Sequence, residues 1–142
     1  GHSSGAHLAG MLMSDNWQEA CEVPADVVKS GLLVSGLCDL EPVRLSYRNE
    51  HLELDRPAVR GNSLLYNLPK SGMPLIVANG QHETDEFKRQ SRTLFEACQG
   101  IGGSCTSLQI DGRNHFDVIL DLADRDEVLA QLALSLIRNS AS

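Results

Sequence analysis

The sequence predicts an α/β fold in which parallel strands alternate with helices that cover both faces of the sheet. Three observations carry that prediction. Short apolar runs closed by glycine, Gly31–Ser35 before Gly36 and Met73–Gly80, have the length and continuity of buried parallel strands. Segments of helical periodicity, Thr84–Cys98 and Asp124–Arg138, lie between and after the strands. The chain also opens on Gly1-His2-Ser3-Ser4-Gly5, a G-x-S-x-G box that runs directly into a helical pattern. Strand and helix in alternation give a parallel sheet, because each crossover must pack back onto one of its faces.

Each element follows from local chemistry. Ser4–Met13 is apolar on nearly all sides through Ala6, Leu8, Ala9, Met11, Leu12 and Met13, which predicts a helix packed deep against a sheet and ended by Asp15-Asn16. A polar loop with Trp17 and Pro24 leads to the first strand, within Val27–Ser35. Residues Cys38–Ser71 are too many for a simple connection between two strands, so they read as an excursion that covers a site. Within it Leu40–Val43 predicts a helical turn, and Pro57–Leu68 a helix interrupted by Gly61. Met73–Gly80 is the clearest strand. The helix Thr84–Cys98 carries Phe87, Leu94, Phe95 and Cys98 on one face and stops at Gly100, Gly102 and Gly103. Cys105–Ile110 is the third strand, turned out by Asp111-Gly112. The final helix, Asp124–Arg138, offers Val128, Leu129, Leu132, Ala133, Leu136 and Ile137 as its buried stripe. Gly100-Ile101-Gly102-Gly103 follows a helix rather than a strand, so it is no dinucleotide fingerprint.

A chain of 142 residues is one domain by size. Its net charge of −7 and pI near 5.1 argue against nucleic acid or an anionic membrane surface and leave a small molecule as the partner. Cys21, Cys38, Cys98 and Cys105 form no C-x-x-C pair, which fits buried thiols in a reducing cytosol. No apolar run approaches the roughly 18 residues of a membrane span. The histidines His2, His7, His51, His82 and His115 form neither H-x-H nor H-E-x-x-H, so neither a metal nor any other cofactor is expected.

In the opening box a serine sits on a sharp strand-to-helix turn that lifts its hydroxyl clear of the sheet, and small residues on either side permit the strained backbone. The backbone N–H of Ser4, at a helix N-terminus, is then free to face a developing oxyanion. Serine is a poor nucleophile at neutral pH; it needs a base within reach, and the base needs a third group to hold its tautomer. In sheet-based hydrolases these follow in the order serine, acid, histidine, each just past a strand end. The order and placement here are met by Ser3, Glu83 and His115. Asp85 is the alternative acid, since Glu83, Asp85 and Glu86 all lie within one turn and two of them must be ordinary helix-start carboxylates. Asp39, past another strand end, reads first as a cap of the following turn. His7 and His82 read as local polar contacts. Asn62, Ser63 and Tyr66 are candidate contacts for the leaving group.

These residues resemble a known family. Gly1-His2-Ser3-Ser4-Gly5-Ala6-His7-Leu8-Ala9 is similar to the nucleophile turn of the kynurenine formamidases (arylformamidases), in the esterase and lipase branch of the α/β-hydrolases. The likeness continues in Leu33–Pro42, in Gly80–Ser91 and in His115–Ile119. The resemblance implies the C-terminal part of an α/β-hydrolase fold, and hydrolysis of N-formyl-L-kynurenine to L-kynurenine and formate in tryptophan catabolism. It places the nucleophile on Ser3, the base on His115 and the acid on Glu83, where the family usually has aspartate. The family's oxyanion hole also draws on an upstream His-Gly-Gly loop that this sequence does not contain, so only the Ser4 half is assigned. A nucleophile turn follows a buried strand and no strand precedes Gly1. The chain thus reads as part of a larger hydrolase cut at its active site, and by itself is expected to be inactive and poorly stable. A carboxylesterase of small acyl esters uses the same residues, and a non-catalytic fragment is the remaining alternative.

Overall fold

A computed structural model describes residues 1–14, 17–69 and 72–140. The helix stop expected at Asp15-Asn16 and the Ser71 end of the excursion lie outside the described residues. In chain order the elements are α1 (Ser4–Met13), the single turn α2 (Trp17–Ala20), β1 (Gly31–Val34), the short helices α3 (Glu41–Arg44), α4 (Asn49–Leu52) and α5 (Arg56–Asn62), and a 3-10 turn at Leu64–Tyr66. There follow β2 (Leu75–Gly80), α6 (Asp85–Gly100), β3 (Cys105–Ile110), a second 3-10 stretch at Val118–Ala123, and α7 (Val128–Ser140).

Among the described residues the strands form one parallel sheet in the order β1-β2-β3. Leu33 stands beside Val77, and Val77 beside Ser107. Every residue of the central strand β2 is buried, which is why it reads as an unbroken apolar run. The edge strand β3 buries only Cys105 and Ile110 fully, which is why it alternates. Side chains on a strand point alternately to opposite faces, so neighbouring residues join different cores. Leu33, Leu75 and Val77 pack on one face with Met13 of α1 and Leu94 and Cys98 of α6. Val34, Ala78 and Ile110 pack on the other with Val118 and Leu129. Each fully buried Leu or Val contributes roughly 1.5–3 kcal/mol of transfer free energy.

Several expectations need correction. Helix α1 is not deeply packed all round: Ala6, Gly10 and Met13 are buried, but Leu8 is 63 % exposed and Leu12 is also exposed. Its main contacts are with β1 and the Leu64–Tyr66 turn. The last helix starts at Val128 rather than Asp124, with Val128 and Ile137 exposed and Leu129, Ala130 and Leu136 turned inward. The preceding 3-10 stretch takes the inner position, pinned by buried Asp121, whose Oδ1 lies 2.8 Å from Arg113 Nε. The helix expected over Pro57–Leu68 is α5 followed by a separate 3-10 turn. Asp55 caps its start, accepting the Ala58 N–H at 2.8 Å, and Pro57 fits the first turn, where an N–H has no partner to lose. Helix α4, absent from the sequence reading, is closed by Asn49, whose Oδ1 accepts the Leu54 N–H at 2.7 Å. Of the cysteines, Cys38, Cys98 and Cys105 are buried, but Cys21 is exposed. Burial, with Asp39 adding to it, pushes the Cys38 thiol up to about 12, so that sulfur is an inert packing group. No helix among the described residues is long and apolar enough to cross a membrane.

Candidate active site

The opening box forms a strained turn. His2 makes a parallel bridge to Val34, the Val34 N–H donates to Gly1 O at 2.9 Å, and the Ser3 N–H donates to Val34 O at 2.9 Å. Gly1 and His2 therefore run parallel to the end of β1 directly before the turn. Ser3 itself sits at φ 56° and ψ −122°, a conformation that L-residues rarely hold outside functional sites. The first glycine of the box is required by packing, since a Cβ on Gly1 would lie 2.3 Å from the Gly5 carbonyl oxygen. The second is not, because a Cβ on Gly5 meets nothing within 4 Å. The Ser4 N–H makes no hydrogen bond among the described residues and stands at the N-terminus of α1.

The other two predicted residues arrive from the ends of β2 and β3. Glu83 folds back on the end of β2, where its Oε1 accepts the Gly80 N–H at 2.9 Å and the Ser35 hydroxyl. Its side chain is fully buried. His115 rides on the loop after β3, which Asn114 and Asp117 stiffen through mutual side-chain and backbone hydrogen bonds. The two loops meet at Gly80, where a Cβ would lie 2.5 Å from the Arg113 carbonyl oxygen, and the His82 N–H donates to that same oxygen at 2.8 Å. The imidazole lies between its expected partners: Nδ1 is 3.3 Å from Glu83 Oε2 and Nε2 is 3.1 Å from Ser3 Oγ. Phe87 stacks on the ring at a centroid distance of 4.1 Å, and His2, at 4.7 Å, reaches the His115 carbonyl oxygen with its Nε2 at 2.8 Å. Burial holds the His2 imidazole below its ordinary pKa, and since a carbonyl oxygen only accepts, Nε2–H is the donor in this bond.

The structure brings Ser3, Glu83 and His115 together and leaves the other candidates apart. Asp85 is exposed at the first residue of α6 and makes no contact with His115. Asp39 caps its own turn, accepting the Glu41 N–H at 3.0 Å, and pairs with Arg89 Nη2 at 3.0 Å. His7 bonds the Asn62 carbonyl at 2.7 Å. Asn62, Ser63 and Tyr66 stand away from the cleft. Buried Ser63 accepts the Leu40 N–H at 3.0 Å, Asn62 bonds back to Ala58, and Tyr66 lies beneath Arg60.

Sequence reasoning missed two supporting residues. Ser35 is fully buried at φ 52° just past β1, and its hydroxyl donates to Glu83. Gln90 is a buried polar residue on α6 whose Oε1 accepts the Cys38 and Asp39 N–H groups at 2.7 and 2.8 Å, tying the loop after β1 to the helix. The available signal was the pair of polar residues Gln90 and Ser91 on the face of α6 that carries Leu94 and Cys98.

A cleft of about 1030 Å³ opens over Ser3 and His115. Its far wall comes from the excursion: Leu40, Pro42, Val43, Leu52 and Leu54, with Arg48 among them.

The chain is 34 % identical to kynurenine formamidase from Salmo salar and 33 % identical to kynurenine formamidase from Danio rerio, in each case over 99 % of this chain and 49 % of the relative. It spans about half the length of these curated relatives. No protein-family model matches it. A candidate thioesterase from Silicibacter sp. superposes with a TM-score of 0.78 at 28 % identity, over 92 % of this chain and 47 % of that one. Esterase 2 of Thermogutta terrifontis superposes with a TM-score of 0.64 at 20 % identity, over 98 % of this chain and 52 % of that one. The chain thus carries a part of the α/β-hydrolase fold and is similar over 99 % of its length to kynurenine formamidases.

Proposed function

We propose that this chain supplies the nucleophile, acid and base of a serine hydrolase that cleaves N-formyl-L-kynurenine to L-kynurenine and formate. The observation that carries the reading is the unbroken relay from Ser3 Oγ through both nitrogens of His115 to Glu83. Nδ1–H donates to Glu83, which leaves the Nε2 lone pair facing the Ser3 hydroxyl. Ser3 Oγ attacks the formyl carbon as its proton passes to Nε2, and Glu83 stabilises the imidazolium that forms. The Ser4 N–H stabilises the oxyanion. The carbon–nitrogen bond then breaks, His115 returns the proton to the leaving aryl amine, and the formyl group remains on Ser3. Water repeats the cycle: His115 takes its proton, hydroxide adds to the formyl carbon, and formate leaves as the proton returns to Oγ.

The small molecule is the only partner this function needs, and three buried free thiols suit a reducing compartment such as the cytoplasm. The test is formate release from N-formyl-L-kynurenine by the full-length protein, compared with hydrolysis of a short-chain aryl ester. A larger kcat/KM for the formamide is expected. A much larger value for the ester replaces this reading with a carboxylesterase, which the fold similarity to esterases favours as the second candidate. Gly1–Ser142 alone is expected to lack turnover, because a hydrolase site needs a second oxyanion donor and loss of one costs roughly 10²–10³ in kcat.

A further inference from the structure

A formyl group is one carbon and one oxygen, so almost all of the 1030 Å³ cleft must serve the other half of the substrate. That half meets an apolar wall from Leu40, Val43, Leu52, Leu54 and Phe87, and one arginine lines the cleft with them, the exposed Arg48, whose guanidinium lies 6.0 Å from the centroid of the Tyr47 ring. The neighbouring arginines are already engaged. Arg44 grips Glu41 with two hydrogen bonds, and Arg89 is shared between Glu86 and Asp39. Arg48 makes no ion pair among the described residues, in a chain whose net charge is −7. The other basic side chains on the cleft are histidines. Of its carboxylates, Glu83 is buried against His115, Ser35 and Gly80, and Glu86 is held by Arg89 and Gln90. An anionic group entering this cleft therefore meets a guanidinium with no competing carboxylate, and the planar fork of arginine matches a carboxylate in two parallel hydrogen bonds.

We propose that Arg48 is the carboxylate-reading residue of the cleft, binding an acidic group on the leaving-group half of the substrate while the leucines around it hold an aryl ring. The assignment rests on the hydrolase reading of the cleft and narrows the substrate class to aryl acyl compounds whose leaving group is an acid. It makes Arg48 a selectivity device that acts in binding and leaves the bond-breaking step untouched.

Calorimetric binding of L-kynurenine and of kynuramine, the same aryl ketone amine without the carboxylate, tests it in the full-length protein. The wild type should prefer L-kynurenine by roughly 10–100-fold, the range of a charge-assisted hydrogen-bonded pair. Arg48→Gln should bring that preference to within about twofold while kynuramine binds as before, and Arg48→Lys should restore part of it. Equal weakening of both ligands in Arg48→Gln, an undiminished preference, or no preference in the wild type overturns the assignment. The parent reading fails separately: if the wild type releases no formate from N-formyl-L-kynurenine yet keeps a carboxylate preference that Arg48→Gln removes, Arg48 stands and the formamidase does not.

Discussion

The two walls of the cleft are held in different ways. Glu83 and His115 follow the ends of the neighbouring parallel strands β2 and β3, and Ser3 follows the bridge of His2 to Val34 at the end of β1. Their loops are locked by backbone hydrogen bonds, by the close approach at Gly80 and by two residues at positive φ, Ser3 and Ser35. The opposite wall, from Leu40 to Leu54, is made of single helical turns that keep Leu45, Tyr47 and Leu52 more than half exposed. The first wall fixes atoms to the geometry a proton relay needs. The second offers apolar surface whose shape tolerates change. Under the proposed function this division places chemistry on the rigid scaffold and selectivity on the excursion.

The largest expected effect comes from the rigid wall. Ser3→Ala in the full-length protein should lower kcat by at least ~10³ and abolish labelling by a serine-directed organophosphate. Near-full activity in that variant would dissolve the contrast between the walls. Glu83→Gln should cost about 10³–10⁴ in kcat while circular dichroism stays native, and Asp85→Asn should change kcat by less than about twofold. The reverse result would move the acid to Asp85.

Ser35→Ala sharpens the comparison, because Ser35 is a positioning residue two atoms removed from the relay. Glu83 keeps the Gly80 N–H and His115, so the loss should be near tenfold in kcat with KM unchanged. The stability cost should be about 0.5–1.5 kcal/mol, read by denaturant unfolding. An effect on stability with no change in kcat would make Ser35 merely structural.

Leu52→Ala probes the other wall. Leu52 is 54 % exposed, so stability should move by less than about 0.5 kcal/mol while KM rises several-fold at constant kcat. A fall in kcat would mean that this wall too positions reacting atoms. The smallest effect belongs to Glu86→Gln. The Arg89 guanidinium holds the Glu86 carboxyl below its usual range, so its contribution to stability is present above the ordinary carboxylate pKa and is lost as pH falls through the depressed one. Because Glu86 is 43 % exposed, the wild type should exceed the variant by under ~1 kcal/mol at neutral pH, and thermal melts should converge in acid.

The sequence by itself determined the fold class and the order of elements. Continuous apolar runs at β1 and β2 follow from burial on both faces, and the strands appeared within a residue or two of where periodicity put them. It also picked Ser3, Glu83 and His115 as the residues to bring together, because a local box and two strand ends carry positional information. What it could not decide depended on long-range contact. Whether Glu83 or Asp85 reaches His115 is set by Gly80 and Ser35, and Ser35 lies 48 residues from Glu83 along the chain. The inward face of α7 turned on the ion pair of Asp121 with Arg113, and the exposure of Leu8 and Leu12 on which side of α1 the described sheet lies. The cleft wall was legible only as an excursion of unusual length. Which of its residues face Ser3 was left to the tertiary structure, because single-turn helices carry too few residues to show a periodicity and take their orientation from what they pack against.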